Sequence, residues 1–398
     1  MSEKYLVGGT VLTGKGKRLE NAALALKDGK IFSISSENEI RPSKKAEVFD
    51  LTGKIITPGL IDAHVHVGTY PEGFPNDSCD TNEMVDPLTP HLRVLDAIYP
   101  DDEAFQSALA GGVTCVQTLP GSANVIGGQG AIIKTKPDIV ERMVMSAPSA
   151  MKAALGENPV RVYTALKKSP NTRMGIAALM REALVKAQNY RARKEAALSK
   201  KASKAGKADK NVFERDFVME SLLPVLSREL ALCVHCHRLD DIQTAVRIAE
   251  EFNLNLTLEH CTEGHKIASW LAGKKVRAAI GPTMATKSKI EVRNKTWDTP
   301  RILWENGVRF CIISDHPVVP IEHLNVYASL AMRAGLPADE ALKAITISAA
   351  EHLGIEDRVG SIEKGKDADI AVWDGEPLDS RSRVVKTFIN GELVYDRG

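Results

Sequence analysis

The sequence predicts an α/β fold: a TIM-type (β/α)8 barrel accompanied by a small β-domain to which both ends of the chain contribute. Its 398 residues suit a barrel with one accessory domain. Both ends of the chain carry short alternating runs separated by turn dipeptides, which is typical of hairpin strands. The middle carries continuous apolar runs separated by helical segments, which is typical of parallel strands covered on both faces.

The bulk composition narrows the classes of function. A formal net charge of +1, with 43% hydrophobic and 26% charged residues, is ordinary for a globular protein and suggests neither a nucleic acid nor a membrane as partner. The first residues lack an apolar core behind a basic start, so a cytoplasmic enzyme is expected. The six cysteines are then expected to be reduced thiols rather than a disulfide framework.

The central part of the chain repeats strand and helix signals. Residues 240–252 (DDIQTAVRIAEEF) predict a helix between two of the apolar runs, and residues 171–230 predict a long helical excursion. Within that excursion, residues 191–210 hold eight Lys or Arg against Glu195 and Asp209, so a solvated, mobile helix or loop is expected. The predicted strands are VTCVQTL near residue 113, LALCVHC near 230, LNLTLEH near 254, KVRAAI near 275 and VRFCIIS near 308.

Histidines and one carboxylate stand at the ends of separate apolar runs. His64 and His66 are two residues apart, so on a strand both imidazoles point to the same side and can reach one ion. His235, His260 and Asp315 end three further runs, and the carboxyl ends of barrel strands converge on one mouth. This donor set predicts a divalent metal site, for zinc first and for manganese or iron as alternatives.

The run that contains His235 leaves two questions open. Cys233, His235 and His237 share one strand face, and we favour His235 as the ligand, which leaves His237 closer to the rim. The spacing of Cys233 and Cys236 also resembles half of a zinc finger. We discount that interpretation because a strand sends these two side chains to opposite faces and no second cysteine pair follows.

Two further segments offer candidate substrate contacts. Residues 121–130 (GSANVIGGQG) include Gly128 and Gln129 and would present backbone N–H groups, although turn formation explains the glycines equally well. Arg161, Tyr163 and Arg173 follow the predicted fourth strand and are candidate substrate contacts, with an ordinary solvent-facing role as the alternative for each.

Several of these segments together resemble the amidohydrolase superfamily, in particular its imidazolonepropionase-like and dipeptidase-like members. The resemblance covers nearly the whole chain and rests on GKIITPGLIDAHVHVG at 53–68, VHCHR at 234–238 followed by DDI, LEH at 258–260, SDH at 314–316 and GSIEKGKDADIAVWDG at 360–375. It implies a composite β-sandwich of residues 1–57 and 358–398 around a barrel of residues 58–357. It also implies one or two divalent ions at the five residues named above, with a bridging ligand from Lys152, as a carboxylated lysine, or from Glu157. We prefer Lys152 slightly.

The expected reaction is hydrolysis of an amide C–N bond by metal-activated water, on a cyclic amide, an N-acyl amino acid or a dipeptide. Asp315 would move the proton, while His260 and His237 would orient the substrate or stabilise the oxyanion. A ring deaminase on the same scaffold is one alternative, although the glutamate of an HxxE motif is missing after His235. A non-catalytic, dihydropyrimidinase-like assembly protein is the other, and such proteins tend to lose metal ligands. A homo-oligomer is expected, because an exposed barrel of this type often pairs with itself.

Overall fold

The computed structural model describes residues 3–36, 39, 42, 46–75, 78–203 and 213–398. The strands are β1 (Lys4–Leu12), β2 (Arg18–Lys27), β3 (Lys30–Ser36), β4 (Glu47–Asp50), β5 (Ile55–Pro58), β6 (Leu60–Val65), β7 (Val113–Thr118), β8 (Ile126–Gln129), β9 (Ala131–Lys134), β10 (Val144–Ser146), β11 (Ala150–Ala154), β12 (Ala231–Cys236), β13 (Leu256–His260), β14 (Arg277–Ile280), β15 (Arg309–Ile312), β16 (Ile370–Trp373), β17 (Val384–Ile389) and β18 (Glu392–Asp396). The α-helices are α1 (Ala104–Ala110), α2 (Val140–Met143), α3 (Glu157–Ala165), α4 (Arg173–Ser203), α5 (Phe217–Glu220), α6 (Leu223–Leu226), α7 (Leu239–Phe252), α8 (Ala268–Lys274), α9 (Asp298–Glu305), α10 (Leu324–Arg333), α11 (Ala338–Ala344) and α12 (Ile347–Leu353).

Both ends of the chain contribute to one eight-stranded sheet. Its strand order is β18-β17-β16-β5-β1-β2-β3, with β4 paired to β1 as well. Strand β5 joins the two ends because it lies parallel to β1 on one side and antiparallel to β16 on the other. The alternating apolar positions of these strands form one buried cluster that includes Leu6, Leu24, Ile56, Ile370 and Phe388. The strands at both ends of the sequence therefore alternate for the same reason, because their apolar positions pack into this one cluster.

The middle of the chain forms two further sheets, of order β10-β9-β7-β6 and β15-β14-β13-β12-β11-β8. Strands β11 to β15 are parallel to their neighbours, as are β6 and β7, so the fold is α/β. The five predicted runs correspond to β7, β12, β13, β14 and β15. Each is covered by helices on its outer face, which explains why the runs are continuously apolar.

The glycine-rich segment at 121–130 differs from its interpretation as a turn. Its residues Ile126–Gln129 form strand β8, which pairs antiparallel with β11 so that Gly128 lies opposite Lys152. Gly128 has φ +133°, and an added Cβ would lie 2.7 Å from the Leu92 carbonyl oxygen. Only glycine fits this position, because backbone from another segment occupies the space of a side chain.

Helix α7 shows how sequence and packing agree between β12 and β13. Asp240 and Asp241 lie in its first turn, where the helix dipole favours negative charge. Asn253 ends the helix with a left-handed φ of 53°, a conformation that asparagine tolerates. The buried side of the helix repeats at intervals of three and four residues, at Ile242, Ala245, Val246, Ile248 and Ala249.

Helix α4 forms the first half of the predicted helical excursion. It buries Ile176, Met180 and Leu184 against the core and extends to Ser203. Lys194 of the lysine-rich segment pairs with Glu220 at 2.7 Å, and residues 204–210 of that segment lie outside the described residues. Among the described helices, none is both long and apolar enough to cross a membrane.

The histidines and the aspartate stand at one edge of these strands. His64 lies in β6, His235 in β12, and His260 is the last residue of β13, while Asp315 follows β15 by three residues. His260 and Asp315 have φ values of 69° and 58°, in the left-handed region that non-glycine residues rarely adopt. Such backbone strain is typical of functional sites.

A buried cation connects the terminal sheet to the middle of the chain. The Lys134 ammonium, at the end of β9, lies between the carboxylates of Asp367 and Asp369, and all three side chains are buried. Removing one partner of such a set leaves uncompensated charge in a low-dielectric environment, which is far more costly than breaking a surface pair.

We therefore expect Lys134→Ala to lower the free energy of unfolding by about 3–5 kcal/mol, because the buried carboxylate of Asp369 loses its cation, while Asp367 keeps Lys30 and Arg358. Urea denaturation followed by circular dichroism measures the change. Lys136→Ala is the matched control, since Lys136 pairs with Glu392 at the surface and should contribute less than about 1 kcal/mol. Equal effects of the two substitutions would contradict the assignment.

Candidate metal centre

A cavity of about 480 Å³ opens at the carboxyl ends of the central strands. The predicted site residues that line it are His64, His66, Lys152, Arg161, His235, His237, His260 and Asp315. They come from β6, β11, β12 and β13 or from the residue that follows the strand, from the loop after β15 and from helix α3. Because the carboxyl ends of these parallel strands lie at one edge, residues that are up to 251 positions apart in the sequence come together here.

His64 is fixed on both sides of its ring. It is completely buried, and its Nδ1–H donates to Oε2 of Glu259 at 2.8 Å. Its Nε2 accepts from the Lys152 ammonium at 2.9 Å and lies 3.6 Å from Oδ1 of Asp315. Burial and the charge of Lys152 lower the pKa of His64 to about 3, so its imidazole is neutral and carries a lone pair on Nε2.

His66 and His260 are oriented in the same way by backbone carbonyls. Nδ1 of His66 donates to the Leu119 oxygen, and Nδ1 of His260 donates to the Gly281 oxygen, each at 2.8 Å. This fixes the tautomer, so that Nε2 of each ring faces the cavity as a lone-pair donor. Nε2 of His66 lies 3.4 Å from Oδ1 of Asp315.

Two sets of side chains have the spacing of metal ligands. The first group is His64, His260 and Asp315, and the second group is His235, His237 and His260. Within each group the ligand atoms lie within 4.8 Å of one another. Neutral imidazoles with a carboxylate suit zinc and other divalent first-row ions.

The state of His235 tests whether these residues fit an ion. Both of its ring nitrogens are buried, and neither makes a hydrogen bond to any described residue. Burial, with the nearby His260 and Lys289, holds the pKa of His235 well below its usual value, so the ring is neutral. An unpartnered buried polar atom costs about 1–3 kcal/mol, and a metal ligand role removes that cost. The donor set therefore fits a divalent ion.

His237, which the sequence predicts to lie nearer the rim than His235, is as deeply buried as His235. Only 4% of its surface is exposed, and its ring stacks on His260 with centroids 4.8 Å apart. The loop after β13 covers it, because Nδ1 of His237 lies 2.7 Å from Oγ1 of Thr262 and the His237 carbonyl accepts from Glu263 N–H. His237 thus faces the cavity beside His235.

The two candidates for a bridging ligand differ in their position relative to the cavity. Lys152 is buried in the cavity wall, and burial lowers the pKa of its ammonium. Glu157 is the first residue of α3 and is not among the described residues that line the cavity. Cys233 and Cys236 belong to different apolar clusters, and all six cysteines are free thiols.

Of the candidate substrate contacts, the structure brings only Arg161 to the cavity. The Tyr163 hydroxyl is buried and donates to Asn124 Oδ1 at 2.6 Å, while Arg173 pairs with Asp241 at 3.1 Å. Gly128 is a strand residue behind Lys152, and the side chain of Gln129 donates to the Pro90 carbonyl. Tyr163, Arg173, Gly128 and Gln129 are therefore not among the described residues that line the cavity.

Two buried carboxylates of the site escaped the sequence analysis. Glu259 is a buried charged residue inside an otherwise apolar strand, and this unusual position could have marked it as a site residue in the sequence. Glu291 lies in a loop after β14 that has no periodic pattern, so nothing singled it out. Burial opposes the ionisation of Glu291, but His237 and Lys289 outweigh it and hold the pKa of Glu291 below its usual value.

Comparison with known proteins gives consistent matches. A family model described as "Amidohydrolase family" matches residues 55–394, a range that includes both groups of ligands. A solved amidohydrolase from Thermotoga maritima MSB8 is 42% identical, with a TM-score of 0.93, and covers 99% of this chain and 100% of that one. The imidazolonepropionase of Thermoplasma volcanium is 25% identical over 95% of this chain and 92% of that protein. The amidohydrolase tasK of Hapsidospora irregularis is 30% identical over 88% of this chain, which spans only 37% of that protein.

The contact between His64 and Glu259 generates a prediction about metal affinity. Glu259→Gln keeps the shape of the side chain but weakens the charge-assisted bond that orients His64, so zinc affinity should fall about 10- to 100-fold. Competition with a chromogenic chelator measures the affinity. Glu220→Gln, which alters a carboxylate bound to Tyr190 and Lys194 away from the cavity, should leave it unchanged. Unaltered affinity in Glu259→Gln would contradict the orienting role.

Proposed function

This chain belongs to the amidohydrolase family and is a hydrolase that acts on carbon–nitrogen bonds, and from this premise we propose that it hydrolyses the amide bond of a small substrate with water activated by one or two divalent ions. The observation that carries the proposal is the convergence of neutral imidazoles and one carboxylate on a single cavity. Zinc is the ion we expect first, with manganese or iron as alternatives.

We propose that the central strands close into a (β/α)8 barrel and that the terminal sheet belongs to a composite β-sandwich. The proposal is supported by contacts between the two central sheets, which bring β6 and β15 side by side. The N–H of Ser314 donates to Oδ2 of Asp62 at 3.1 Å, and the N–H of His66 donates to the carbonyl of His316 at 2.8 Å. A closed barrel would fix the cavity at one mouth.

When bound, a divalent ion lowers the pKa of a coordinated water toward about 7 and polarises a carbonyl oxygen. Asp315 is then placed to accept the proton of the attacking water and to return it to the leaving nitrogen. Burial opposes the ionisation of Asp315, but His260, His66 and His64 outweigh it and hold its pKa below the usual value. Asp315 is therefore a carboxylate, ready to accept a proton.

His260 suits the role of ligand better than that of oxyanion donor. Its Nδ1–H is committed to the Gly281 carbonyl and its ring is neutral, so Nε2 has a lone pair and no proton to donate. Lys152 suits the bridging role better than Glu157, because burial favours its neutral amine, the form that carboxylation by carbon dioxide requires. These choices favour a site with two ions.

One observation favours a second candidate, hydrolytic deamination of a ring. The sequence lacks an HxxE glutamate after His235, but the structure places Glu291 Oε1 3.7 Å from Nε2 of His235. A buried carboxylate there would accept a proton from the attacking water and pass it to a ring nitrogen. A screen that follows ammonia release as well as amide cleavage distinguishes the two reactions, and its panel should contain cyclic amides, N-acyl amino acids, dipeptides and amino-substituted rings.

The proton-transfer role of Asp315 gives the first functional prediction. Asp315→Asn should retain most of the bound metal, measured by elemental analysis, yet lower kcat by about 10²- to 10⁴-fold because the amide side chain does not accept the proton. Asp339→Asn changes an exposed carboxylate away from the cavity and should retain full activity. Full activity of Asp315→Asn would exclude the assigned role.

Arg161 gives a prediction about the substrate. Its guanidinium is exposed in the cavity and makes no hydrogen bond or ion pair with another described residue, so it is available to a substrate carboxylate. Arg161→Met should raise KM at least tenfold for substrates that carry a carboxylate, with kcat nearly unchanged. Steady-state kinetics on a matched pair, an N-acyl amino acid and its methyl ester, measure the effect. The same loss with both substrates would argue against a carboxylate contact.

A further inference from the structure

A separate cavity of about 270 Å³, the arginine pocket, lies at the amino ends of β14 and β15. Arg277 and Arg309, the first residues of these two strands, line it together with Trp304, Glu351 and His352. The metal ligands stand at the carboxyl ends of the strands, and the two cavities share no lining residue. The arginine pocket is therefore a distinct feature that the roles described above leave without a function.

Two positive charges start side by side in the arginine pocket. Arg277 and Arg309 are opposite each other in the register of the parallel strands β14 and β15. Residues that pair in this way on neighbouring strands project to the same face of the sheet. Like charges at such positions destabilise a sheet. An anion bound between the two guanidinium groups would remove this repulsion.

The chain itself compensates these charges only in part. Arg277 donates to the carbonyl of Glu351 in the last turn of α12, and Nη2 of Arg309 donates to the carbonyl of Lys275, directly after α8, at 3.2 Å. Carbonyl groups at helix C-termini carry only a partial negative charge. Neither guanidinium forms an ion pair with a carboxylate of the described residues, and each has further N–H groups to donate.

The two carboxylates that line the arginine pocket do not reverse its charge. The carboxylate of Glu340 is paired with Lys343 at 2.8 Å. The side chain of Glu351 is exposed and makes no ion pair with a described residue. Arg277, Arg309 and Lys343 thus outnumber the two carboxylates, so the pocket remains positive.

The walls of the arginine pocket limit the size and the chemistry of a ligand. His352 is 4% exposed, and its Nε2 donates to Oε1 of Glu259 at 3.3 Å, so this ring is held in place. Trp304 is 41% exposed and adds an aromatic wall. The volume is below that of most pockets for drug-sized ligands, and guanidinium groups match the oxygens of phosphates and carboxylates. The ligand that fits is a small oxyanion.

We propose that the arginine pocket binds a small oxyanion, a phosphate or a carboxylate, between the guanidinium groups of Arg277 and Arg309. The inference goes beyond the proposed function and does not depend on it, because no lining residue of the pocket belongs to the metal cavity. A purely structural pair of arginines, which only caps two helix ends, would bind no anion.

The experiment is a fluorescence titration of the zinc-loaded full-length chain with sodium phosphate and, separately, with sodium acetate at constant ionic strength. Trp304 lines the arginine pocket, whereas no described tryptophan lines the metal cavity, so its emission reports on this pocket. The wild type should show a saturable change that Trp304→Phe lacks. Tighter binding of phosphate would identify a phosphate ligand, and tighter binding of acetate would identify a carboxylate.

Three variants locate the binding site. Arg309→Gln removes one guanidinium from an exposed strand start and should weaken binding of the preferred anion roughly tenfold. Glu351→Gln removes a negative charge from the pocket wall and should strengthen binding roughly twofold. Arg247→Gln removes an equal positive charge from an exposed position on α7 and should leave the affinity unchanged.

The absence of any saturable change with both anions overturns the proposal, and so does an Arg309→Gln variant with the affinity of the wild type. If Arg309→Gln fails to fold, Glu351→Gln decides the question, because unchanged or weaker binding in that variant contradicts an anion in this pocket. A wild type that binds the anion but shows no hydrolytic activity would contradict the proposed function alone.

Discussion

The hydrogen bond between His64 and Glu259 is the constraint on which the geometry of the cavity depends. Glu259 is a fully buried carboxylate, and burial alone would favour its neutral form. His352 and His64 bond to it and together outweigh burial, so that its pKa lies well below the usual value. Thr257 donates a further hydrogen bond. A fixed negative charge inside the strands thus determines the tautomer of His64 and the direction of its lone pair.

The surroundings of the other titratable side chains in the cavity also determine their charge states. Several imidazoles lie so close together that they can be buried only as neutral rings, and their pKa values are lowered accordingly by burial first and by one another. The neighbouring carboxylates of Asp315, Glu259 and Glu291 stay ionised. Neutral lone pairs beside fixed negative charges favour a cation, which gives a physical reason to expect a metal ion here.

The sequence predicted those parts of the structure that follow from periodicity. Strands end where apolar runs end, so the sequence alone predicts that His64, His66, His235, His260 and Asp315 lie at one edge. The burial of His237 depends on the loop after β13, which covers it. Glu291 lies beside His235 and His237 in a single short 3-10 turn that no periodic pattern marks. The choice between Lys152 and Glu157 depended on where one strand ends, which sequence patterns locate only within a few residues.

The terminal sheet also positions the first histidine pair. Gly59 separates β5 of that sheet from β6, and its N–H donates to the carbonyl of Asp369 at 2.8 Å. An added Cβ at Gly59 would lie 2.1 Å from Oγ1 of Thr114, so the chain passes here only as glycine. Asp369 in turn binds Lys134 at the end of β9. The start of β6 is therefore held by both ends of the chain, and because a strand is stiff over six residues, this anchor also fixes the height of His64 and His66 at the cavity. Residues 57–60 lie outside the cavity, but an insertion there would shift His64 and His66.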